Sequence, residues 1–295
     1  MSKKVLLTLA AITLSISADA TEGGGSIYPV GNENFTCCAL PPPGLYGMVY
    51  AQSLEADKAR GNDGQVVTPS TFKVRATAVA PRIVWVSKEQ VTGGSFGLHA
   101  ILPLVDLDVH VAPGVAQRKS GLGDVVFGPF VGWHHSQNLH SVAGLDIFAP
   151  TGEYTKGDLA NIGRNHWALQ AVYGVSWIDP NGLNADAKVM YTFNLKNKDT
   201  QYRSGQELIV DYSLGWGFGN GLTAGVGGYL YQQTTDDKQN GAVVADNKGR
   251  ALSIGPSIKY DSGKGWFVTA KYQVDTHVRN RADAKAFWLK FVTPF

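Results

Sequence analysis

The stretch 208–218 reads Leu-Ile-Val-Asp-Tyr-Ser-Leu-Gly-Trp-Gly-Phe, and it decides the fold. Large apolar side chains occupy the even positions from Leu208 to Phe218, and the odd positions are mostly polar or small, as at Asp211 and Ser213. Successive side chains of a β-strand point to opposite faces, so this stretch has one apolar and one largely polar face. That pattern is typical of a strand in a transmembrane β-barrel.

The same alternation recurs along the chain, and it is clearest over 166–177, 183–193, 252–260 and 266–273. Repeated segments of this kind predict an all-β protein, an antiparallel up-and-down transmembrane barrel of about twelve strands that occupies residues 44–295. We expect the strands at 44–55, 71–85, 96–111, 123–134, 140–150, 166–177, 182–194, 204–218, 222–233, 249–260, 265–274 and 284–295.

The connections between these strands alternate in length, which supports the barrel over a soluble sandwich. The short connections carry turn residues, as in 179–182, 219–221 and 261–264. A barrel with both termini in the periplasm has long outer loops and short periplasmic turns. The alternation therefore predicts an even number of strands with Phe295 at the periplasmic rim.

The first residues have the pattern of an export signal. Lys3 and Lys4 precede an apolar run over 5–16, and a small-residue site at 18–20 predicts cleavage between Ala20 and Thr21. Residues 1–20 are therefore predicted to be a signal peptide, and the run is too short to span a bilayer. The remaining chain has a net charge of about +1, which gives no basis for nucleic-acid binding.

The last strand alternates up to a terminal aromatic residue. Phe287, Leu289, Phe291 and Phe295 share one face, with Thr293 between the last two. A strand that ends in this way is a signal for the outer-membrane assembly machinery. We therefore expect a multi-pass barrel in the bacterial outer membrane, in contact with its lipids and lipopolysaccharide.

Residues 21–43 lie between the signal and the first strand and show no alternation. The segment is too apolar for a free tail, and its prolines exclude a barrel strand. We predict that it forms a plug or lid in the barrel. The residues that carry this prediction are Tyr28, Phe35, Cys37, Cys38, Pro41, Pro42 and Pro43. The adjacent cysteines could form a vicinal disulfide, pair between chains or stay reduced.

Charged residues at alternating positions of the strands are predicted to line the lumen, because a charge inside a membrane barrel must be paired or hydrated. The candidates are Lys73, Arg75, Asp186, Lys188, Asp211, Lys259, Lys271 and Lys290. They could form a closed ion-pair network that braces the barrel, or they could line a hydrated path and set its selectivity.

No catalytic, cofactor or metal site is predicted. One alternative is a lipid-modifying barrel enzyme, because His134 and Ser136 have the spacing of a His-x-Ser pair on one strand face. The pair lies beside a short turn predicted to be periplasmic, which favours an ordinary polar turn.

Several motifs resemble those of a known family. They are the Tyr-Pro-x-Gly-x-Glu-Asn-Phe block at 28–35, Leu-Pro-Pro-Pro-Gly-Leu-Tyr at 40–46, 121–124, 150–154 and 161–167. The chain resembles outer-membrane proteins involved in the meta-pathway of phenol degradation, also called the SphA-like proteins. The resemblance covers essentially the whole mature chain, and Cys37 and Cys38 depart from it.

That resemblance implies an outer-membrane channel for passive uptake of small hydrophobic or aromatic compounds, with such a solute as its partner. A structural or adhesive barrel without transport is the other alternative, suggested by the long loops.

Overall fold

The computed structural model describes Glu22 and residues 25–295. The predicted signal peptide and its cleavage site lie outside these residues. The strands are β1 Gly44–Arg60, β2 Lys73–Val91, β3 Gly94–Ile101, β4 Leu104–Ala112, β5 Val115–Leu122, β6 Val125–His134, β7 Leu139–Ala149, β8 Ala168–Trp177, β9 Leu183–Asn194, β10 Tyr202–Arg203, β11 Glu207–Gly217, β12 Leu222–Gln233, β13 Asp237–Gln239, β14 Ala242–Val244, β15 Arg250–Asp261, β16 Phe267–Arg279 and β17 Arg281–Pro294. The described part of the chain contains no helix long and apolar enough to span a membrane.

The large sheet closes on itself, because β1 pairs antiparallel with both β17 and β2. Its ladder contains twelve strands when two interrupted strands are each counted once. β3 and β4 both pair with β2 and are separated at Leu102 and Pro103, where the proline ring leaves no N–H for the ladder. β5 and β6 are separated at Gly123 and Asp124. The predicted all-β barrel of twelve strands is confirmed.

The two ends of the barrel differ in their connections. Residues 92–93, 135–138, 178–182, 218–221 and 262–266 make short turns at one end. Loops 61–72, 150–167, 195–206 and 234–249 lie at the other end, where β10, β13 and β14 form a small three-stranded sheet. The remaining two connections at this end are tight, because β4–β5 and β16–β17 continue as strands where the sequence suggested loops. We call the end with the long loops the outer end.

The outward face of the barrel carries an apolar belt. On β11, Leu214 and Trp216 are half exposed, while Asp211 and Ser213 on the opposite face are buried. A protein surface with such a continuous apolar band matches the hydrocarbon core of a bilayer.

Toward the outer end, the outward face changes from apolar to charged. Residues of five neighbouring strands face each other across the ladder in the order Lys285, Glu55, Arg75, Asp108 and Arg118. Opposite charges that face each other across antiparallel strands stabilise the sheet. The row therefore marks where the strands leave the apolar layer, since β2 is longer than a membrane-spanning strand needs to be.

Candidate functional site: the barrel lumen

The N-terminal segment, residues 25–43, lies inside the barrel. Just before it, Glu22 accepts hydrogen bonds from Tyr154 and Asn197 in the outer loops, and burial raises the pKa of Tyr154. The segment then runs to the opposite end, where Gly44 begins β1. Tyr28 and Phe35 are almost fully buried along this path. The segment therefore passes through the whole length of the lumen.

Glu33 is the only charged residue of the segment 25–43. Its carboxylate lies 3.1 Å from Lys290 Nζ, 3.7 Å from Arg82 Nη1 and 3.8 Å from Lys188 Nζ. Tyr50 donates a hydrogen bond of 3.1 Å to the same carboxylate. Only 4% of Glu33 is exposed, so this charge is stable inside the barrel because several cations and a hydroxyl surround it.

Asp211 of β11, which faces Lys188 across the ladder, holds the same part of the segment. Its carboxylate accepts hydrogen bonds from Tyr28 Oη at 2.7 Å and from the backbone N–H groups of Gly31 and Glu33, both at 2.9 Å. Gly31 has φ of 78°, and a Cβ there would overlap the side chain of Gln273. The turn at Gly31 therefore requires glycine to bring both N–H groups to Asp211.

Further side chains of the wall bind the later part of the segment. Asp186 accepts the backbone N–H of Cys37 at 3.0 Å, and Ser176 Oγ accepts that of Cys38 at 3.0 Å. The two cysteine sulfurs are bonded to each other as a vicinal disulfide. Lys259 donates to Thr36, which secures the residue before the disulfide.

The wall has glycines where the segment comes closest to it. A Cβ at Gly132 would overlap Leu40, and a Cβ at Gly174 would overlap the sulfur of Cys38. Both glycines lie on inward faces, on β6 and β8. The missing side chains leave room for the segment, so the wall and the segment are complementary in shape.

Six of the eight residues predicted to line the lumen lie on inward faces. The contacts of five of them with the segment are described above, and the sixth, Lys271, donates to the Glu33 carbonyl oxygen at 2.7 Å. These six are Asp186, Lys188, Asp211, Lys259, Lys271 and Lys290, and all are buried.

Lys73 and Arg75 lie elsewhere, on the outward face, where both interact with Glu55. Their side chains are partly exposed because this part of β2 extends beyond the apolar belt, which lets charges face outward without contacting lipid. The expectation that these two residues line the lumen is therefore corrected.

The predicted residues of the segment differ in their surroundings. Tyr28, Phe35 and Cys38 are buried, whereas Pro42 and Pro43 are exposed at the end where β1 begins. The carbonyl oxygen of Pro42 accepts a hydrogen bond of 2.8 Å from Tyr46, which fixes the entry of the chain into β1.

Sequence reasoning missed several lumen residues on the walls. Arg82 of β2, His99 of β3 and Asp146 of β7 face inward, and His99 Nε2 lies 2.9 Å from Asp146. Even-numbered residues of β2 face inward, so Arg82 follows the same alternation that identified the other lumen charges. That signal could have found Arg82.

An open space remains beside the segment. A cavity of about 190 Å³ extends from Arg82 and His99 to the end where β1 begins. Apolar side chains from the segment and from several strands form much of its wall; they include Leu40, Met48, Val84, Phe130, Val142 and Phe267. The cavity thus lies between the charged centre of the lumen and its short-turn end.

The His-x-Ser spacing does not form a nucleophile and base pair. His134 Nδ1 lies 2.7 Å from His140 Nδ1, while Ser136 Oγ accepts the backbone N–H groups of Asn138 and Leu139. The serine therefore caps the turn between β6 and β7. The described residues contain no group of three or more His, Cys, Asp or Glu side chains that could hold a metal ion.

These features define a class: a transmembrane β-barrel of the outer-membrane type whose lumen holds its own N-terminal segment. The family described as "Putative MetA-pathway of phenol degradation" matches residues 56–291. The chain belongs to this family. No curated protein matches the chain significantly.

Solved structures confirm the fold. The chain is similar to the COG4313 outer membrane channel from Pseudomonas putida F1, with a TM-score of 0.79 and 18% identity over 89% of this chain and 99% of that one. The transport unit of the autotransporter AIDA-I from Escherichia coli has a TM-score of 0.51 and 10% identity over 90% and 95%. The translocator domain of autotransporter NalP from Neisseria meningitidis has a TM-score of 0.50 and 12% identity, over 86% of this chain and 90% of that one.

Proposed function

We propose that this protein is an outer-membrane channel for passive uptake of small hydrophobic or aromatic compounds. The observation that carries the proposal is the cavity beside the N-terminal segment, which is largely apolar and has a volume of about 190 Å³. A dry apolar cavity of about 150 Å³ is large enough to bind benzene. A single aromatic ring with a small substituent therefore fits this space.

The comparisons support the same class of solute. The family description refers to phenol degradation, and the Pseudomonas putida F1 protein is named an outer membrane channel. Compounds of this class cross a lipopolysaccharide-covered outer membrane slowly, so a barrel with an apolar interior site would speed their entry.

In this proposal the segment 21–43 acts as a plug. Its contacts with Lys290, Asp211 and Asp186 hold it across the lumen, so solute passes only when some of these contacts break. Because each contact is a separate hydrogen bond or ion pair, the segment can shift in part while β1 to β17 stay paired.

The test compares the full protein with a variant that lacks residues 25–43. In planar bilayers we expect low conductance from the full protein and a larger, steady conductance from the deletion variant. Bacteria that carry either form should take up labelled toluene faster than a strain that carries no barrel. Absence of both conductance and uptake in both forms would remove the transport proposal.

A structural barrel is the second candidate, and the fully surrounded Glu33 carboxylate favours it. In that case the segment is a permanent brace. A deletion strain would then show weakened envelope integrity with unchanged uptake of toluene.

The residues at the two rims of the barrel suggest which partners each end would contact. Phe295 donates its backbone N–H to Leu45, so the terminal strand that the assembly machinery would recognise closes onto β1. The charged row that includes Arg75 and Arg118 would face lipopolysaccharide at the outer end. In this proposal the protein uses no cofactor, carries no catalytic residue and binds no nucleic acid.

A further inference from the structure

The disulfide between Cys37 and Cys38 has no role in the channel function proposed above. The chain contains only these two cysteines, and they are adjacent. A disulfide stabilises a fold mainly by closing a long loop of the chain, and the stabilisation falls as the loop becomes shorter. A bond between neighbouring residues closes no such loop, so its presence in the lumen needs another explanation.

The bond fixes a tight turn of the N-terminal segment. Thr36, directly before it, has φ of 61°, a left-handed conformation that is unusual for a β-branched residue. The small ring that the disulfide closes includes the peptide bond between the two cysteines, so it restricts the backbone of both. Breaking the disulfide would remove this restriction and allow Thr36 to return to a more favourable conformation.

The same turn binds the segment to the barrel wall through its backbone. The N–H of Cys37 donates to Asp186 and the N–H of Cys38 donates to Ser176 Oγ, both at 3.0 Å. Ser176 and Asp186 face each other directly across the β8–β9 ladder. Both hydrogen bonds therefore require the relative position of the two cysteine backbones that the disulfide fixes.

The two cysteines differ in their surroundings. Cys38 is only 1% exposed, and its sulfur occupies the space over Gly174, where the backbone of β8 closes that side. Cys37 is partly exposed and lines the cavity beside the segment. Once unbonded, the two sulfurs would repel each other at bonding distance. Because the wall blocks Cys38, the Cys37 side of the turn would have to move.

A dithiol small enough to enter the cavity would reduce the disulfide in two steps. Its first thiolate attacks the Cys37 sulfur, the S–S bond breaks, and Cys38 leaves as a thiolate that takes up a proton. The second thiolate of the reductant then attacks the reductant's own sulfur in the mixed disulfide and releases Cys37, which also takes up a proton. The reductant ends as a cyclic disulfide, and its two lost protons equal those gained by the cysteines.

We propose that the disulfide between Cys37 and Cys38 is a redox-reactive site for small dithiols, and that its reduction loosens the hold of Asp186 and Ser176 on the segment. The bonded form is the resting state, since exported proteins meet an oxidising compartment. The reaction at the sulfurs goes beyond the proposed channel function, and only its effect on conductance rests on that function.

The first experiment tests the chemistry of the site in the folded protein. The full protein in lipid nanodiscs is treated with dithiothreitol, alkylated with iodoacetamide and analysed by mass spectrometry. We expect no alkylation before the treatment and alkylation of both cysteines after it, with heat-modifiable migration on gels showing that the barrel stays folded. Alkylation without reductant, or resistance to dithiothreitol while the barrel is folded, would overturn the proposal.

Two single-cysteine variants test which sulfur the thiolate attacks. Cys38→Ser keeps only Cys37, and Cys37→Ser keeps only Cys38. Their reaction with dithiodipyridine, followed by absorbance, should be roughly tenfold faster for Cys37, because thiol reactivity follows exposure. Equal rates would overturn the assignment of Cys37 as the attacked residue.

Limited proteolysis measures the loosening of the segment independently of transport. Reduction should raise the rate of cleavage within residues 25–43 by roughly tenfold, the combined effect of two weakened hydrogen bonds. The double variant with Cys37→Ser and Cys38→Ser should be cleaved at the raised rate with or without dithiothreitol. Equal rates for oxidised and reduced wild type would overturn the proposal, since the disulfide would then not control the segment.

Planar bilayers separate this proposal from the proposed function. Dithiothreitol should raise the fraction of time that the wild-type barrel conducts by roughly tenfold, and the double serine variant should conduct at the raised level without responding to it. If reduction speeds proteolysis but no form of the barrel conducts or takes up toluene, the channel fails and the redox site remains. If the variant without residues 25–43 conducts but reduction changes neither proteolysis nor conductance, the redox site fails and the channel remains.

Discussion

Replacing Glu33 with glutamine should release the N-terminal segment from the barrel wall. Glu33→Gln keeps the size of the side chain and one hydrogen-bond acceptor, but it removes the negative charge. Lys290, Lys188 and Arg82 would then face one another with no carboxylate between them. The docked position of the segment loses its main electrostatic support, while β1 to β17 keep their ladder.

The size of the effect follows from burial. Glu33 is 4% exposed and Lys290 has a side chain that is 2% exposed, so their ion pair is shielded from water. Removing one partner of a buried pair costs about 3–5 kcal/mol. Because glutamine can still accept from Lys290 or Tyr50, we expect the lower end, about 3 kcal/mol. This corresponds to a roughly 100-fold shift of the docked-to-undocked ratio.

Single-channel recording in planar bilayers measures this ratio as the fraction of time that the pore conducts. Wild-type protein should be closed most of the time, and Glu33→Gln should conduct for a much larger fraction. Glu55→Gln is the matched control, because Glu55 pairs with Lys73 on the exposed outer face and should leave conductance unchanged. Unaltered conductance of a folded Glu33→Gln barrel would refute the role of this ion-pair cluster.

Three further changes test other contacts. Asp211→Asn removes a carboxylate that accepts three hydrogen bonds from the segment, so limited proteolysis should cut residues 25–43 roughly tenfold faster than in wild type, and an equal cleavage rate would contradict the assignment. Gly174→Ala places a methyl group against the Cys38 sulfur, which should push the segment from the wall and raise conductance. The control Ala171→Ser, on the outward face of the same strand, should leave conductance unchanged. Equal conductance in the two variants would exclude close packing at Gly174. Asp237→Ala removes the carboxylate that accepts hydrogen bonds from Tyr202, Gly205, Gln233 and Asn247. A protease should therefore digest the outer loops faster, while the heat-modifiable barrel band persists on gels. Loops as resistant as in wild type would show that Asp237 does not hold them together.

Period-two alternation was enough to predict the barrel, because each strand must separate lipid from lumen by itself. It also identified the inward charges Asp211 and Lys271, since their neighbours on the strand are apolar. It failed at Arg75 because alternation gives the faces of a strand but not the depth at which the strand leaves the bilayer. The outer continuation of this part of the sheet includes β5, which lies in residues 112–122 that the sequence suggested to be a loop.

The partners of the lumen charges could not be predicted from the sequence. Glu33 and Lys290 are separated by almost the whole chain, and their contact exists only after β17 has closed onto β1. The motif that contains Glu33 was visible, but its role depends on three different strands.

The path of the N-terminal segment has a consequence for biogenesis. Glu22 reaches the outer loops while Gly44 starts β1 at the opposite end, so the segment must lie in the lumen before the β1–β17 seam closes or be drawn through it afterward. The first route makes the segment a template around which the strands assemble. On that route, the N-terminal segment sets the order in which the barrel strands come together, although it is not itself part of the barrel wall.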